Sequence, residues 1–168
     1  MAWNKNKNIR EASEWLVEKF KLLDAKENMI KTQQKKLQQT GHKEPLRELF
    51  RGGVYWVNFG NGNVGAEKNK TRPGVIISPN HMNKAETVIV IPISSKFKYQ
   101  IKKGRKIPKY KNHFILYKQT YRELDDNSVI KCEDIRSIDV ARIGDLIFNI
   151  YQEDMRFIKT RILYTMGY

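Results

Sequence analysis

Arg51-Gly52-Gly53-Val54-Tyr55-Trp56-Val57-Asn58-Phe59, Thr71-Arg72-Pro73-Gly74-Val75-Ile76-Ile77-Ser78-Pro79-Asn80 and Thr87-Val88-Ile89-Val90-Ile91-Pro92-Ile93-Ser94-Ser95 are short apolar runs, rich in β-branched and aromatic residues and punctuated by Gly, Pro and Asn. Runs of this kind read as strands. Strands are expected at Gly53 to Phe59, Gly74 to Ser78 and Thr87 to Ser94, then at Phe114 to Lys118 and Ser128 to Cys132. Ile135 to Ile138 and Asp145 to Ile150 are weaker candidates. Met155, Ile158, Ile162 and Met166 fall on one helical face, so Gln152 to Met166 should close the chain as an amphipathic helix. Several short strands separated by turn signals predict a small, closed or nearly closed antiparallel sheet.

Upstream, Ile9 to Gln39 contains neither Pro nor Gly, and Asn8 and Glu11 are spaced as a capping start. A long helix is expected there. Ile9, Leu16, Leu23, Ile30 and Leu37 recur every seven residues, widened by Trp15 and Phe20, but the companion row holds Lys19, Lys26 and Gln33. That seam is too thin for a long coiled coil, so the first half of the helix should pack on the main domain or on a second copy. Thr40-Gly41-His42-Lys43-Glu44-Pro45 ends it. The expected division is an N-terminal helical extension and linker, residues 1–45, and a main domain, residues 46–168. A chain of 168 residues accommodates one domain of ~100 to 150 residues plus an appendage, not two domains.

Lys and Arg number 32 against 18 Asp and Glu, a formal net charge of +14. Such a field concentrates polyanions and speeds their capture, which makes nucleic acid the first partner to consider. A membrane surface would attract the same charge, but no segment approaches the ~20 apolar residues of a spanning helix. Met1 to Arg10 is polar and basic, without the apolar stretch of a signal peptide. A cytoplasmic protein is expected. Cys132 is the single cysteine, and its flanks Lys131 and Glu133 supply no metal-ligand spacing. It reads as a small, half-buried strand residue.

Other motifs fail on context. Gly60-Asn61-Gly62-Asn63-Val64-Gly65 matches a phosphate-loop pattern, but a dinucleotide site needs a helix at its last glycine, whereas Lys68 to Pro73 leads into another strand. A loop tolerant of positive φ is the better reading. Adjacent acids occur at Asp125-Asp126, Glu133-Asp134 and Glu153-Asp154. Neighbours on a strand point to opposite faces, so Glu133 and Asp134 should not converge on one ion. His42, His81 and His113 are separated in the sequence. Metal-free chemistry is expected.

Between Glu86 and Glu123 there is no acidic residue, while Lys96, Lys98, Lys102, Lys103, Arg105, Lys106, Lys109, Lys111, Lys118 and Arg122 are all cationic. Tyr99, Tyr110, Phe114, Tyr117 and Tyr121 are interleaved with them. Aromatic faces stack on unpaired bases at ~1 to 3 kcal/mol each, so this segment suits a single-stranded polyanion.

Taken in order, the three opening runs resemble the strands of the MazF/PemK toxin family. Ser128-Val129-Ile130-Lys131-Cys132-Glu133-Asp134-Ile135-Arg136-Ser137-Ile138-Asp139 is similar to its late strand pair, and Ala141-Arg142-Ile143-Gly144 to the turn beyond. The closing helix with Glu153-Asp154-Met155 fits too, so the likeness covers Leu49 to Tyr168. The resemblance implies a mainly β protein with helices, a small antiparallel β-barrel of the CcdB/MazF toxin type, here with an extra N-terminal helix. It further implies a homodimer, a cognate antitoxin, and cofactor-free, metal-independent cleavage of single-stranded RNA at short sequences. The family's catalytic arginine falls on Arg72 and its catalytic Thr or Ser on Ser94. An acidic residue common in the first long loop falls on Glu67, a candidate base, with His81 a weaker one. Lys68, Lys70, Ser95, Lys96, Lys98, Tyr99, Lys102, Lys103 and Arg105 are the expected RNA contacts. This chain departs from the usual pattern at Glu133-Asp134 and at Tyr151, where a capping Ser is common; neither departure is expected to touch the chemistry. The N-terminal helix and the segment Lys96 to Lys111 lie outside the usual core. A non-catalytic RNA-binding or gyrase-binding module on the same barrel is the competing reading.

The residue types suit that chemistry. Metal-free RNA cleavage uses the ribose 2′-hydroxyl as nucleophile, passes through a phosphorane with added negative charge, and leaves a cyclic phosphate. A guanidinium offers rigid bidentate donors to that charge. Donors aimed at developing charge are worth about 2.7 to 4 kcal/mol each in comparable sites. Arginine hardly deprotonates, so Arg72 is read as a clamp and proton donor rather than a base.

Overall fold

In the computed structural model, which describes residues 5–61 and 68–168, helix α1 (Lys5–Thr40) precedes a run of short strands. These are β1 (Gly53–Asn58), β2 (Thr71–Ile76), β3 (Thr87–Ser94), β4 (Tyr99–Lys102), β5 (Arg105–Pro108), β6 (His113–Leu116), β7 (Ser128–Lys131), β8 (Arg136–Asp139) and β9 (Ile143–Asn149). Helix α2 (Gln152–Thr165) ends the fold. Among the described residues every strand pair is antiparallel.

Seven strands form one sheet in the order β6-β7-β3-β2-β1-β9, with β8 also on β3. Strand β3 serves two partners along one edge. Its first half, Thr87 to Val90, pairs with β8, and its end, Ile93 and Ser94, pairs with β7. The 3-10 turn Cys132–Asp134 makes this possible by breaking the chain between β7 and β8. The expected barrel is therefore corrected: β6 and β9 are the ends of an open path, and the strand that would continue one half-sheet is diverted onto the other half of β3.

Alternation along the strands sends side chains to two cores. Val54, Val75, Ile91, Ile93 and Ile130 join Met155 and Ile158 of α2 on one face. Tyr55, Val57, Phe59, Ile76, Val88 and Val90 join Ile138, Val140 and Ile143 on the other. Each fully buried aliphatic side chain here is worth ~1.5 to 3 kcal/mol. Gly74 lets the second core close: a Cβ there would lie 2.8 Å from Val90 and 3.0 Å from Val57.

Helix α1 is already running at Lys5, so Asn8 lies within it rather than capping its start. Trp15, Leu22, Ala25 and Met29 lie on its more buried side. Trp15 sits 5.5 Å from the Arg142 guanidinium, Glu18 accepts a hydrogen bond from Asn58, and Lys26 bridges Glu86 and Asp139. Ile9, Leu16, Phe20 and Leu23 are exposed. The sevenfold row is thus not the docking face. Among the described residues no helix is long and apolar enough to cross a membrane.

Candidate active site

Arg72 is the second residue of β2, half-buried. Its Nε and Nη2 both donate to the Asn69 carbonyl, at 2.9 and 2.5 Å, which folds the guanidinium back over the chain leading into the strand. Burial pushes it below the ordinary arginine value, and the charge of Asp134 opposes that shift. The approach to Arg72 is tightly constrained. Lys70 holds a left-handed φ of +62°, its N–H donates to the Gly60 carbonyl at 2.5 Å, and its carbonyl accepts the Phe59 N–H at 3.1 Å. Left-handed backbone is uncommon for a residue bearing a side chain and is held here by these two bonds. They close the base of the loop between β1 and β2. Glu67, the candidate base in that loop, lies outside the described residues.

Ser94 ends β3. The β2–β3 register pairs Ile76 with Val90 and Gly74 with Pro92. Continued by two residues, it brings Ser94 across from Arg72 on the same face of the sheet. The Ser94 hydroxyl donates to the Lys96 carbonyl at 3.2 Å and accepts the Lys96 N–H at 3.3 Å, so it sits in the turn that leaves the strand.

On the other side of β3, Ser94 faces Val129 and Ile93 faces Ile130. One further step puts Lys131 across from Pro92, on the face that carries Arg72 and Ser94. Burial first, and the charge of Lys68 second, push the Lys131 ammonium below the usual lysine range, with Asp134 opposing. Lys68 lies 3.3 Å from the Asp134 carboxylate, and Arg136 donates to the Lys68 carbonyl at 3.5 Å. Arg72, Lys68 and Lys131 therefore gather about one carboxylate at the end of β2, β3 and β7. Among the described residues, these three partly buried cations share the rim with the Asp134 carboxylate, and Glu133 adds a lesser pull on Lys131.

The residues singled out from the sequence fall into separate groups. Arg72, Ser94 and Lys68 belong to this cluster, and Lys70 supports it through its backbone. Ser95 and Lys96 are exposed just beyond it. Lys98, Tyr99, Lys102, Lys103 and Arg105 lie instead on and beside the β4–β5 hairpin, a separate two-stranded sheet. His81 lies in the turn past the opposite end of β2. Lys131 and Asp134 were not expected as site residues. The Glu133-Asp134 departure reaches the site after all, because the 3-10 turn sends Asp134 to Lys68 while Glu133 pairs with His113 at 2.7 Å. The signal available for Lys131 was a lone cation ending the apolar run Val129-Ile130.

Cys132 is fully buried in the 3-10 turn, and burial pushes its thiol up to about 12. A thiol held protonated is a packing group rather than a nucleophile. Tyr151 occupies the N-cap of α2 without a side-chain cap bond. The Tyr121 hydroxyl stands in, accepting the Tyr151 N–H at 3.2 Å and donating to Asp154 at 2.5 Å.

Residues 50–165 match the family described as PemK-like, MazF-like toxin of type II toxin-antitoxin system. Among solved structures, MazF from Deinococcus radiodurans is 18% identical, with a TM-score of 0.57 over 73% of this chain and 99% of that one. An endoribonuclease in complex with its cognate antitoxin, from a mycobacterial species, is 16% identical, with a TM-score of 0.52 over 71% of this chain and 95% of that one. A further mycobacterial endoribonuclease gives 14% identity and a TM-score of 0.53, over 72% and 93%. At these identities the likeness establishes the fold.

Proposed function

Because the chain belongs to the PemK-like, MazF-like toxin family of type II toxin-antitoxin systems, we propose that it is an endoribonuclease that cuts single-stranded RNA without a metal ion. The observation that supports this most directly is the placement of Arg72 and Ser94 across adjacent strands, beside Lys68 and Lys131. In this reading the scissile phosphate lies over the β2–β3–β7 rim. Arg72 donates to the phosphorane oxygens and to the leaving 5′-oxygen, Ser94 turns from Lys96 to a non-bridging oxygen, and Lys68 and Lys131 neutralise charge from the side. The 2′-hydroxyl attacks in line, its proton goes to a base for which Glu67 is the candidate, and the products are a cyclic phosphate and a 5′-hydroxyl. Lys70, Ser95 and Lys96 line the path of the RNA out of the site. Residues 46–168 act as the catalytic domain, residues 1–45 as an accessory element, and the working form is a cytoplasmic homodimer held in check by a cognate antitoxin.

The test is cleavage of unstructured RNA in excess EDTA with end-group analysis. The expected result is cyclic phosphate termini, lost in Arg72→Ala while its circular dichroism matches the parent. Full activity in Arg72→Ala overturns the assignment. RNA binding without cleavage across varied sequences would favour the non-catalytic module instead.

A further inference from the structure

The β4–β5 hairpin stands apart from the main sheet, as a two-stranded unit that leaves β3 directly after Ser94. Its register pairs Tyr99 with Pro108, Gln100 with Ile107, Ile101 with Lys106 and Lys102 with Arg105. Lys103 and Gly104, with φ of +48° and +72°, make the tight turn that such a hairpin requires. It is anchored at its base, where the Lys109 N–H donates to the Lys98 carbonyl at 3.0 Å, and nearer its tip, where the Tyr117 hydroxyl donates to the Lys106 carbonyl at 3.1 Å.

Alternation across this register places Tyr99, Ile101, Lys106 and Pro108 on one face, and Gln100, Lys102, Arg105 and Ile107 on the other. Isolated hairpins usually hide their apolar face, yet Tyr99 is 49% and Ile101 62% exposed. Tyr99 is held upright rather than buried: Phe97 meets it edge-on at 6.1 Å and the Lys106 ammonium lies 4.7 Å from its ring centre. Among the described residues, Lys98, Lys102, Lys103 and Arg105 have no carboxylate partner, unlike Lys26, Lys31, Lys36 and Lys68 elsewhere in the chain. An ordered, exposed ring amid unneutralised cations calls for a ligand with both π-faces and regularly spaced negative charge. Unpaired nucleotides have both; an acidic peptide has the charge without a matching stack of rings.

We propose that this hairpin is a second RNA-binding element, separate from the cleavage cluster, which grips the single strand flanking the cut phosphate. Tyr99 stacks on a flanking base, while Lys102, Lys103 and Arg105 at the tip take flanking phosphates. Tyr99 lies five positions after Ser94, so its Cα is within ~17 Å of that of Ser94, a span of a few nucleotides. The element reads length and single-strandedness rather than sequence, because every base has a face to stack. This rests on the reading of the chain as an RNA-cutting enzyme for its biological sense, but not for its measurement.

The experiment compares binding of fluorescently labelled, unstructured single-stranded RNA, short or extended by a single-stranded flank, to full-length protein carrying Arg72→Ala so that no cleavage intervenes. Adding Tyr99→Ala, Lys102→Ala, Lys103→Ala and Arg105→Ala together is expected to raise the Kd for extended RNA by ~10- to 100-fold, from one lost stack and three lost phosphate contacts. The gain in affinity on lengthening the RNA should disappear. The salt dependence of log K should flatten by about 2, since each phosphate contact on a single strand contributes ~0.7. Pairing the flank into a duplex should likewise remove the gain. An unchanged Kd with an unchanged salt slope overturns the proposal, as does a loss of binding to acidic protein with RNA affinity intact. Failure of the wild-type chain to cut any RNA would overturn the enzymatic reading alone, because the binding comparison needs no chemistry.

Discussion

Asp134 holds Lys68 at 3.3 Å while its charge also opposes the burial that depresses both Arg72 and Lys131. One carboxylate thus acts on three cations at once, with Glu133 a lesser pull on Lys131.

Lys131 gives that balance a measurable sign. Its folded value lies below the unfolded one, so between the two the unfolded chain binds more protons. Its unfavourable contribution is full below the folded value and fades as pH rises towards the ordinary ~10.4. Lys131→Met should therefore be more stable than the parent near neutral pH, by a small margin because solvent screens a half-buried charge. The gain should shrink near pH ~10. Urea unfolding at both conditions checks this, and an equal gain at each would sink the electrostatic account. Asp134→Asn removes the opposing charge and should move Lys131 further down, visible in an NMR titration of its side chain.

Ser94 tests the chemistry with little cost to the fold. Among the described residues its hydroxyl bonds only within its own turn, to Lys96. Ser94→Ala should leave the melting temperature nearly unchanged while cleavage slows by ~100-fold or more, as for a lost transition-state donor. Ser94→Thr should retain most of the rate. Single-turnover cleavage decides, and a full rate in the alanine variant would remove Ser94 from the mechanism.

Gly74 tests how packing supports the rim. A methyl there meets Val90 and Val57, whose branched chains have little room to turn. Gly74→Ala should destabilise by ~1 to 3 kcal/mol through overpacking. It should also disturb Arg72, two residues away on the same strand, so thermal unfolding and cleavage rate are expected to fall together.

Trp15 tests the docking of α1. It stacks against Arg142, whose Nε donates to the Asn58 carbonyl at 2.7 Å. Trp15→Ala should cost about 1 to 2 kcal/mol of helix docking. Limited proteolysis should then cut α1 sooner while residues 50–165 stay intact. Unchanged cleavage kinetics by protease would mean that Trp15 does not fasten the helix.

Much of this architecture is written in local pattern. Val54 to Phe59 and Val88 to Ile93 carry enough β-branched and aromatic surface to declare themselves strands, and Met155, Ile158 and Ile162 declare a helix. The hairpin was not legible as strands, because Tyr-Gln-Ile-Lys and Arg-Lys-Ile-Pro lack a buried alternating face; their pairing comes from the turn at Lys103-Gly104. Barrel closure failed as an inference because it depends on where one three-residue turn sends β8, a choice that composition does not record. The α1 docking face was hidden for a different reason. Its contacts combine Trp15, Glu18 and Lys26, polar and apolar alike, while the more conspicuous leucine row stays in water. Arg72 and Ser94 entered as candidates by resemblance, whereas Asp134 and Lys131 required the strand register that brings distant chain segments to one rim.

Strand β3 has the last consequence. It is an interior strand for both halves of the sheet, so neither half can open without stripping hydrogen bonds from the other's central member. The β2–β3–β7 region should exchange its amide protons as one slow cooperative unit, close to the limit set by global unfolding. Arg72 and Ser94, mounted on such a unit, keep their spacing on every timescale short of denaturation. Under the proposed reading, adaptation to different RNA sequences falls to the segments between strands, while the spacing of Arg72 and Ser94 stays the same for each substrate.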